Sequence, residues 1–292
     1  MFMLANGLQG SLISIRASLE GYSSFSTGLI MTGYYLGFLI GAVIVPQKIR
    51  EVGHVRMFAA LASIASISIL IHSLHISFIS WILLRFITGF CFVGLYTVCE
   101  SWINDMSENE SRGQALSIYM IIGMGGNAIG QLLLNVSDPQ VATLFMVVSI
   151  LISLSLVPIL ITVNKQPDFS VTEFLSIKQL YKASPLGVIG AIIVGACHGA
   201  LWGAGAVYGL NAEMTLAQVS IFMFSFVSGG AIFQYYIGYL SDLYDRRVVI
   251  TYVSFLASVL CVFAIIFNYG FIYLVCITFI FGGLTVPLYS LA

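Results

Sequence analysis

Ten stretches of mostly apolar residues follow one another along the chain, at approximately 1–19, 25–45, 57–76, 78–104, 114–134, 141–161, 184–210, 217–237, 248–268 and 271–291. Each is near the roughly 20 residues that a helix needs to cross the hydrocarbon core of a bilayer. Short polar turns separate them, with one exception. Between the sixth and seventh stretches runs the longest polar connection, Thr162 to Ala183, with Lys165, Lys178 and Lys182. The pattern predicts an all-α membrane protein with a six-helix half over 1–161, a linker over 162–183 and a four-helix half over 184–292. Six plus four is an uneven pair, and the expectation is a piece lacking two C-terminal spans of twelve.

Composition supports lipid as the surrounding solvent. Apolar residues make up 59% of the chain and charged residues 8%, against roughly 25% charged in a soluble domain. Mean hydropathy is +1.02. A chain of 292 residues cannot hide that much apolar surface from water, so lipid covers it. The formal net charge of -1 argues against nucleic acid, whose phosphates need clustered Lys and Arg. Cys91, Cys99, Cys197, Cys261 and Cys276 lie inside apolar runs, with no CxxC pair and no ligand spacing for a metal. They read as buried free thiols. No basic leader precedes the first apolar stretch, so that stretch reads as a retained span.

The few basic residues orient the chain, because short loops rich in Lys and Arg stay cytoplasmic. With a cytoplasmic N-terminus and alternating loops, Lys48, Arg50, Arg56, Arg112, Lys165, Lys178, Lys182, Arg246 and Arg247 all fall inside. Arg16 is left outside and Arg85 within the membrane. The opposite topology would put nearly every basic residue outside.

Two polar signatures are specific. Between the eighth and ninth spans stands Gly238-Tyr-Leu-Ser-Asp242-Leu-Tyr-Asp245-Arg246-Arg247. It resembles the G-x-L-x-D-x-x-G-R-R/K loop motif of the major facilitator superfamily, with Asp245 where the family prefers Gly. After the second span the counterpart keeps Gly53 and Arg56 but has Arg50 at the acidic position. In the fourth span, Arg85-Phe-Ile-Thr88-Gly89 resembles the R-x-x-x-G element common in proton-coupled members. The resemblance covers nearly the whole chain and is closest to a little-characterised bacterial branch. It implies a helical bundle of two pseudo-symmetric halves in the cell inner membrane, with about ten of twelve spans present. It also implies that Asp242, Arg246 and Arg247, with Gly53 and Arg56, form a conformational latch between the halves. A topogenic basic loop is the plainer reading of the same residues.

An intramembrane cation costs about 2.5–3.5 kcal/mol on insertion scales, so Arg85 is expected to face a cavity or to tie neighbouring carbonyls together. Glu100, fifteen residues on, points within roughly 60° of Arg85 and lies about 22 Å nearer the cytoplasm. It reads as a proton carrier, or as an interfacial residue beside Trp102. Asn6, Gln9, Tyr34, Tyr35, Asn127, Gln131, His198, Trp202, Tyr208 and Gln234 also lie within spans. Spans one, four, seven and ten surround the midplane site in such transporters, which selects Gln9, Arg85, His198, Trp202 and Tyr289. For each alone, a hydrogen bond to a neighbouring helix is the commoner role. Gly33/37/41, Gly126/130 and Gly195/199/203 are spaced as close-packed helix seams.

No nucleophile-and-base pair, HExxH or Walker sequence is present, and no cofactor is implied. The pattern therefore points away from an enzyme. The resemblance implies a secondary transporter of a small molecule by alternating access, with proton coupling through Arg85 and Glu100 as the expected form. A passive uniporter and a non-transporting receptor or scaffold are the alternatives.

Overall fold

The computed structural model describes residues 1–108, 111–161, 177–267 and 270–291. Among these the regular structure is entirely helical. The N-terminal part holds α1 (Phe2–Leu19), α2 (Ser24–Val52), α3 (His54–Leu74), α4 (Phe78–Met106), α5 (Arg112–Leu132), α6 (Thr143–Leu154) and α7 (Leu156–Ile161). The C-terminal part holds α8 (Ile177–Ala183), α9 (Pro185–Asn211), α10 (Leu216–Leu243), α11 (Arg246–Ile266), α12 (Phe271–Thr285) and α13 (Leu288–Leu291). Of the expected linker over 162–183, α8 is described, while 162–176, with Lys165, lies outside the described residues, as does the Lys178 side chain.

Every apolar stretch is helical, but the ends differ from expectation for identifiable reasons. Apolarity marks only the part of a helix inside hydrocarbon, whereas the hydrogen-bond ladder continues into water. So α2 runs past Pro46 to Val52, and Gly53 alone turns the chain, at φ +87, a backbone conformation that glycine adopts without strain. Likewise α10 continues to Leu243, so Gly238 and Asp242 are helical rather than in a loop. The sixth span breaks at Ser155, three residues before Pro158, whose ring and missing N–H disrupt the preceding turn. The tenth breaks at Val286–Pro287 in the same manner.

Among the described residues, eight helices are long and apolar enough to cross a membrane. The two other predicted spans, α1 and α12, fail that test for different reasons. At 15 residues α12 is short. By contrast α1 is less apolar than the other spans, interrupted by Asn6, Gln9, Arg16 and serines, and it is buried over nearly its whole length, so its neighbours rather than lipid surround it. The lipid-facing shell is apolar, as at Leu39, Ile67, Ile150, Ile192 and Ile265.

The two halves repeat one packing device. The most extensive helix contact is α2 with α4, followed by α10 with α12. In the first pair, a methyl added at Gly37 would meet the Phe86 carbonyl, and one at Gly89 the Tyr34 carbonyl. In the second, Gly229 lies on the Phe279 carbonyl and Gly282 on that of Phe226. Glycine permits this close approach of backbones. The α1–α5 seam is built alike, with Gly7 on Asn127 and Gly130 on Leu4. The expected third stripe is not such a seam: nothing lies near Gly195, and Gly199 and Gly203 meet only the side chains of Tyr35 and Met31.

Candidate functional site

A chain of polar side chains crosses the N-terminal half from α5 to α2. Asn6 is its hub. The Asn6 Nδ2 donates to the Tyr96 hydroxyl at 3.1 Å and to Asn127 Oδ1 at 3.3 Å. Its Oδ1 accepts from Gln9 Nε2 and from the Tyr34 hydroxyl, both at 3.2 Å. The helix periodicity explains who meets whom. Asn6 and Gln9 are one turn apart on α1, and Tyr96 follows Arg85 by eleven residues, which is about three turns, so they share a face of α4. Below this network, Gln131 accepts from Ser11 at 2.6 Å and donates to the Gly7 carbonyl at 2.8 Å, fastening α5 to α1.

Arg85 adjoins the network from the other side. Its guanidinium carbon stands 4.5 Å from the centre of the Tyr34 ring, a cation–π distance. The residue is 3% exposed, and its Nε and Nη1 are buried without hydrogen-bond partners. The carbonyl-tying role is thus not seen, and an aromatic face takes its place. Exposure falls along the network. Asn6, Tyr96 and Asn127 are half-buried, whereas Tyr34, Gln9 and Arg85 are buried. Gln9 Oε1 is a second buried atom with no partner.

Glu100 stays apart from this group, exposed on the last turns of α4. His198 and Trp202 belong to a different cluster, both edge-on to Phe226, with ring centres 6.0 and 6.2 Å away. The two clusters meet at α1, where Trp202 lies over Gly10, the neighbour of Gln9. The Tyr289 side chain lies outside the described residues. So the structure joins Gln9 and Arg85 through Asn6 and Tyr34, sets His198 and Trp202 beside them, and leaves Glu100 separate. The network's Tyr96 has no motif to announce it; its sequence signal is a tyrosine three turns from an intramembrane arginine.

The turn residues differ from expectation in detail. Asp245, where the motif prefers Gly, caps α11, accepting from Arg247 N at 2.8 Å. Asp242 is exposed and makes no ion pair among the described residues, and Arg246 and Arg247 are exposed too. An added methyl at Gly238 meets open space, so close helix approach is not its role. On the partner turn Arg56 is exposed at the first turn of α3. There Lys48 pairs with Glu51 at 2.7 Å. At the opposite end of the bundle Arg16 bonds the Pro139 and Gln140 carbonyls and pairs with Glu20.

Contacts between the halves gather toward the end away from the basic turns. Met31 faces Gly203, Trp202 faces Gly10, and Asn135 Nδ2 donates to Ser220 Oγ at 2.7 Å. Toward the basic turns, α5 from Arg112 to Ile122 and α9 from Pro185 to Trp202 hold no buried residue. A separate cavity of about 940 Å³ lies between α9, α10, α11 and α12. It is mainly apolar; Tyr208, Cys197 and Cys261 line it, whereas Gln9, Arg85, Glu100, His198 and Trp202 do not.

A membrane bundle with repeated halves that touch toward one end, with a polar centre, is the architecture of a helical transporter. The chain belongs to the Major Facilitator Superfamily, whose model matches residues 1–292. An uncharacterized MFS-type transporter of Yersinia enterocolitica is 27% identical over 275 residues, covering 92% of this chain and 71% of that protein. Among solved structures, a bacterial homolog of the human lysosomal transporter Spinster, inward-facing and occupied, matches at a TM-score of 0.77 and 16% identity, over 99% of this chain and 71% of the other. The nucleoside transporter NupG matches at a TM-score of 0.75 and 16% identity, over 99% and 78%. At those identities the likeness is one of fold.

Proposed function

We propose that the protein is a proton-coupled secondary transporter, carrying a small solute across the bacterial inner membrane with its N-terminus in the cytoplasm. The observation that carries this reading is the polar network from Asn127 to Arg85, grading from half-buried to buried beside the face where the halves meet. In a bilayer such groups are costly unless they serve a partner or a pathway. In alternating access the halves, residues 1–161 and 184–292, rock about this centre, with 162–183 as the tether. With the basic turns inside, the end where the halves touch faces away from the cytoplasm. Asp242, Arg246 and Arg247 stand free in this state and latch the halves in the opposite one, with Gly53 and Arg56 on the facing turn. Glu100 carries the proton, since it is the acidic residue set within the apolar stretch of a span. Gln9, His198, Trp202 and Tyr289 line the solute's path.

The test is uptake and efflux of a broad metabolite panel by vesicles containing the protein, with and without a pH gradient. Glu100→Gln is expected to keep exchange and lose pH-driven accumulation, and Asp242→Asn to slow turnover at normal abundance. Full accumulation by Glu100→Gln would remove the proton role, and movement of no solute would defeat the transporter reading.

A further inference from the structure

Arg85 brings a full positive charge into the centre of the N-terminal half, and nothing in that half answers it. Its guanidinium makes no hydrogen bond or ion pair among the described residues; it lies over the face of Tyr34, with Tyr35 and His72 the other titratable groups that feel its charge, and none of the three is an acid. Within 1–161 the described acidic residues other than Glu100 are Glu20, Glu51, Asp105, Glu108 and Asp138, all at span ends or in turns, and Glu110 lies outside the described residues. Glu100 is exposed and about four turns away. The groups nearest to Arg85 along the network, Tyr34, Asn6, Tyr96 and Gln9, are neutral. A buried charge without a counter-charge is strongly disfavoured, so the complement comes from what binds.

We infer that the transported solute is a small organic monoanion, a carboxylate whose charge is taken by Arg85. This rests on the transporter reading. One cation among neutral groups balances one negative charge, so a dianion such as phosphate leaves an excess. The carboxamides of Asn6 and Gln9 and the hydroxyls of Tyr34 and Tyr96 suit a body bearing hydroxyl or amide groups, and the buried, unpartnered Gln9 Oε1 calls for a donor on it. The half-buried members Asn6, Tyr96 and Asn127 form the mouth, and Tyr34, whose ring covers the guanidinium, stands between mouth and charge.

The test measures thermal stabilisation of the purified protein in lipid nanodiscs. The probes are monocarboxylates from lactate to benzoate, each against its own neutral amide, with inorganic phosphate alongside. At least one carboxylate is expected to stabilise the protein while its amide and phosphate do not. Arg85→Gln should weaken that carboxylate about tenfold or more, the scale of a charge-assisted hydrogen-bonded pair. Arg85→Lys, which keeps the charge but loses the planar guanidinium, should retain the preference at reduced affinity. The inference is overturned if no carboxylate stabilises, if amides act as well as acids, or if Arg85→Gln keeps the preference. Vesicle uptake of a neutral or cationic solute would overturn it while leaving the transporter reading intact.

Discussion

Asn6 ties α1 to α2, α4 and α5 with one carboxamide, because such a group offers both two donors and an acceptor. Its Oδ1 serves Gln9 and Tyr34, and its Nδ2 serves Tyr96 and Asn127. Asn6→Ala would leave four groups short of a partner. With a net contribution of about 0.5–1.5 kcal/mol for each hydrogen bond, the loss should be roughly 2 kcal/mol or more, with transport reduced at least tenfold. Unfolding in a denaturing detergent series, run beside vesicle uptake, checks both numbers. An unaltered midpoint with unaltered uptake would show the network to be idle. At this scale the sequence names the polar residues within spans but not their partnerships. Asn6 and Tyr34 are visible as intramembrane polar groups, yet no spacing rule announces that residues 90 and 121 positions apart share a hydrogen bond with one side chain.

Helix against helix, backbone approach does the work that hydrophobic burial does in water, since lipid is as apolar as the side chains. The glycines of the α2–α4 and α10–α12 seams sit on carbonyls of the facing helix, where a methyl has no room. Gly89→Ala is therefore expected to force the α2–α4 pair apart and to destabilise by about 1–3 kcal/mol, the range for overpacking. Gly238→Ala, into open space on α10, should be neutral or slightly stabilising, because alanine is the better helix former. The same unfolding assay compares them, and equal effects would refute the seam. Glycine spacing revealed the Gly33/37/41 and Gly126/130 seams, but Gly195/199/203 has identical spacing and no tight partner. The spacing describes one helix, while a seam also requires a second backbone to be present opposite.

For the whole molecule, alternating access requires the contacts at the end away from the basic turns to part in each cycle. Asn135 and Ser220 lie within hydrogen-bonding distance across that interface. Replacing both by Cys and bridging them with an oxidant or a short bismaleimide should stop transport. Reduction of the disulfide should restore it, and uninterrupted transport by the bridged protein would show that this contact does not open. What the sequence determined by itself is the set of spans and the family. These follow from terms that act on each segment separately: transfer of about 20 residues into hydrocarbon, exclusion of Lys and Arg from it, and two local motifs. Where a break in the ladder was local, at Pro158 or Pro287, it too is written in the chain. Only the tertiary structure decided that α1 is sheltered by other helices and that Arg85 lies over Tyr34 while Glu100 stands apart. It also decided at which end the halves touch. Those are properties of pairs of distant segments, and no energy that depends on one segment at a time can specify them.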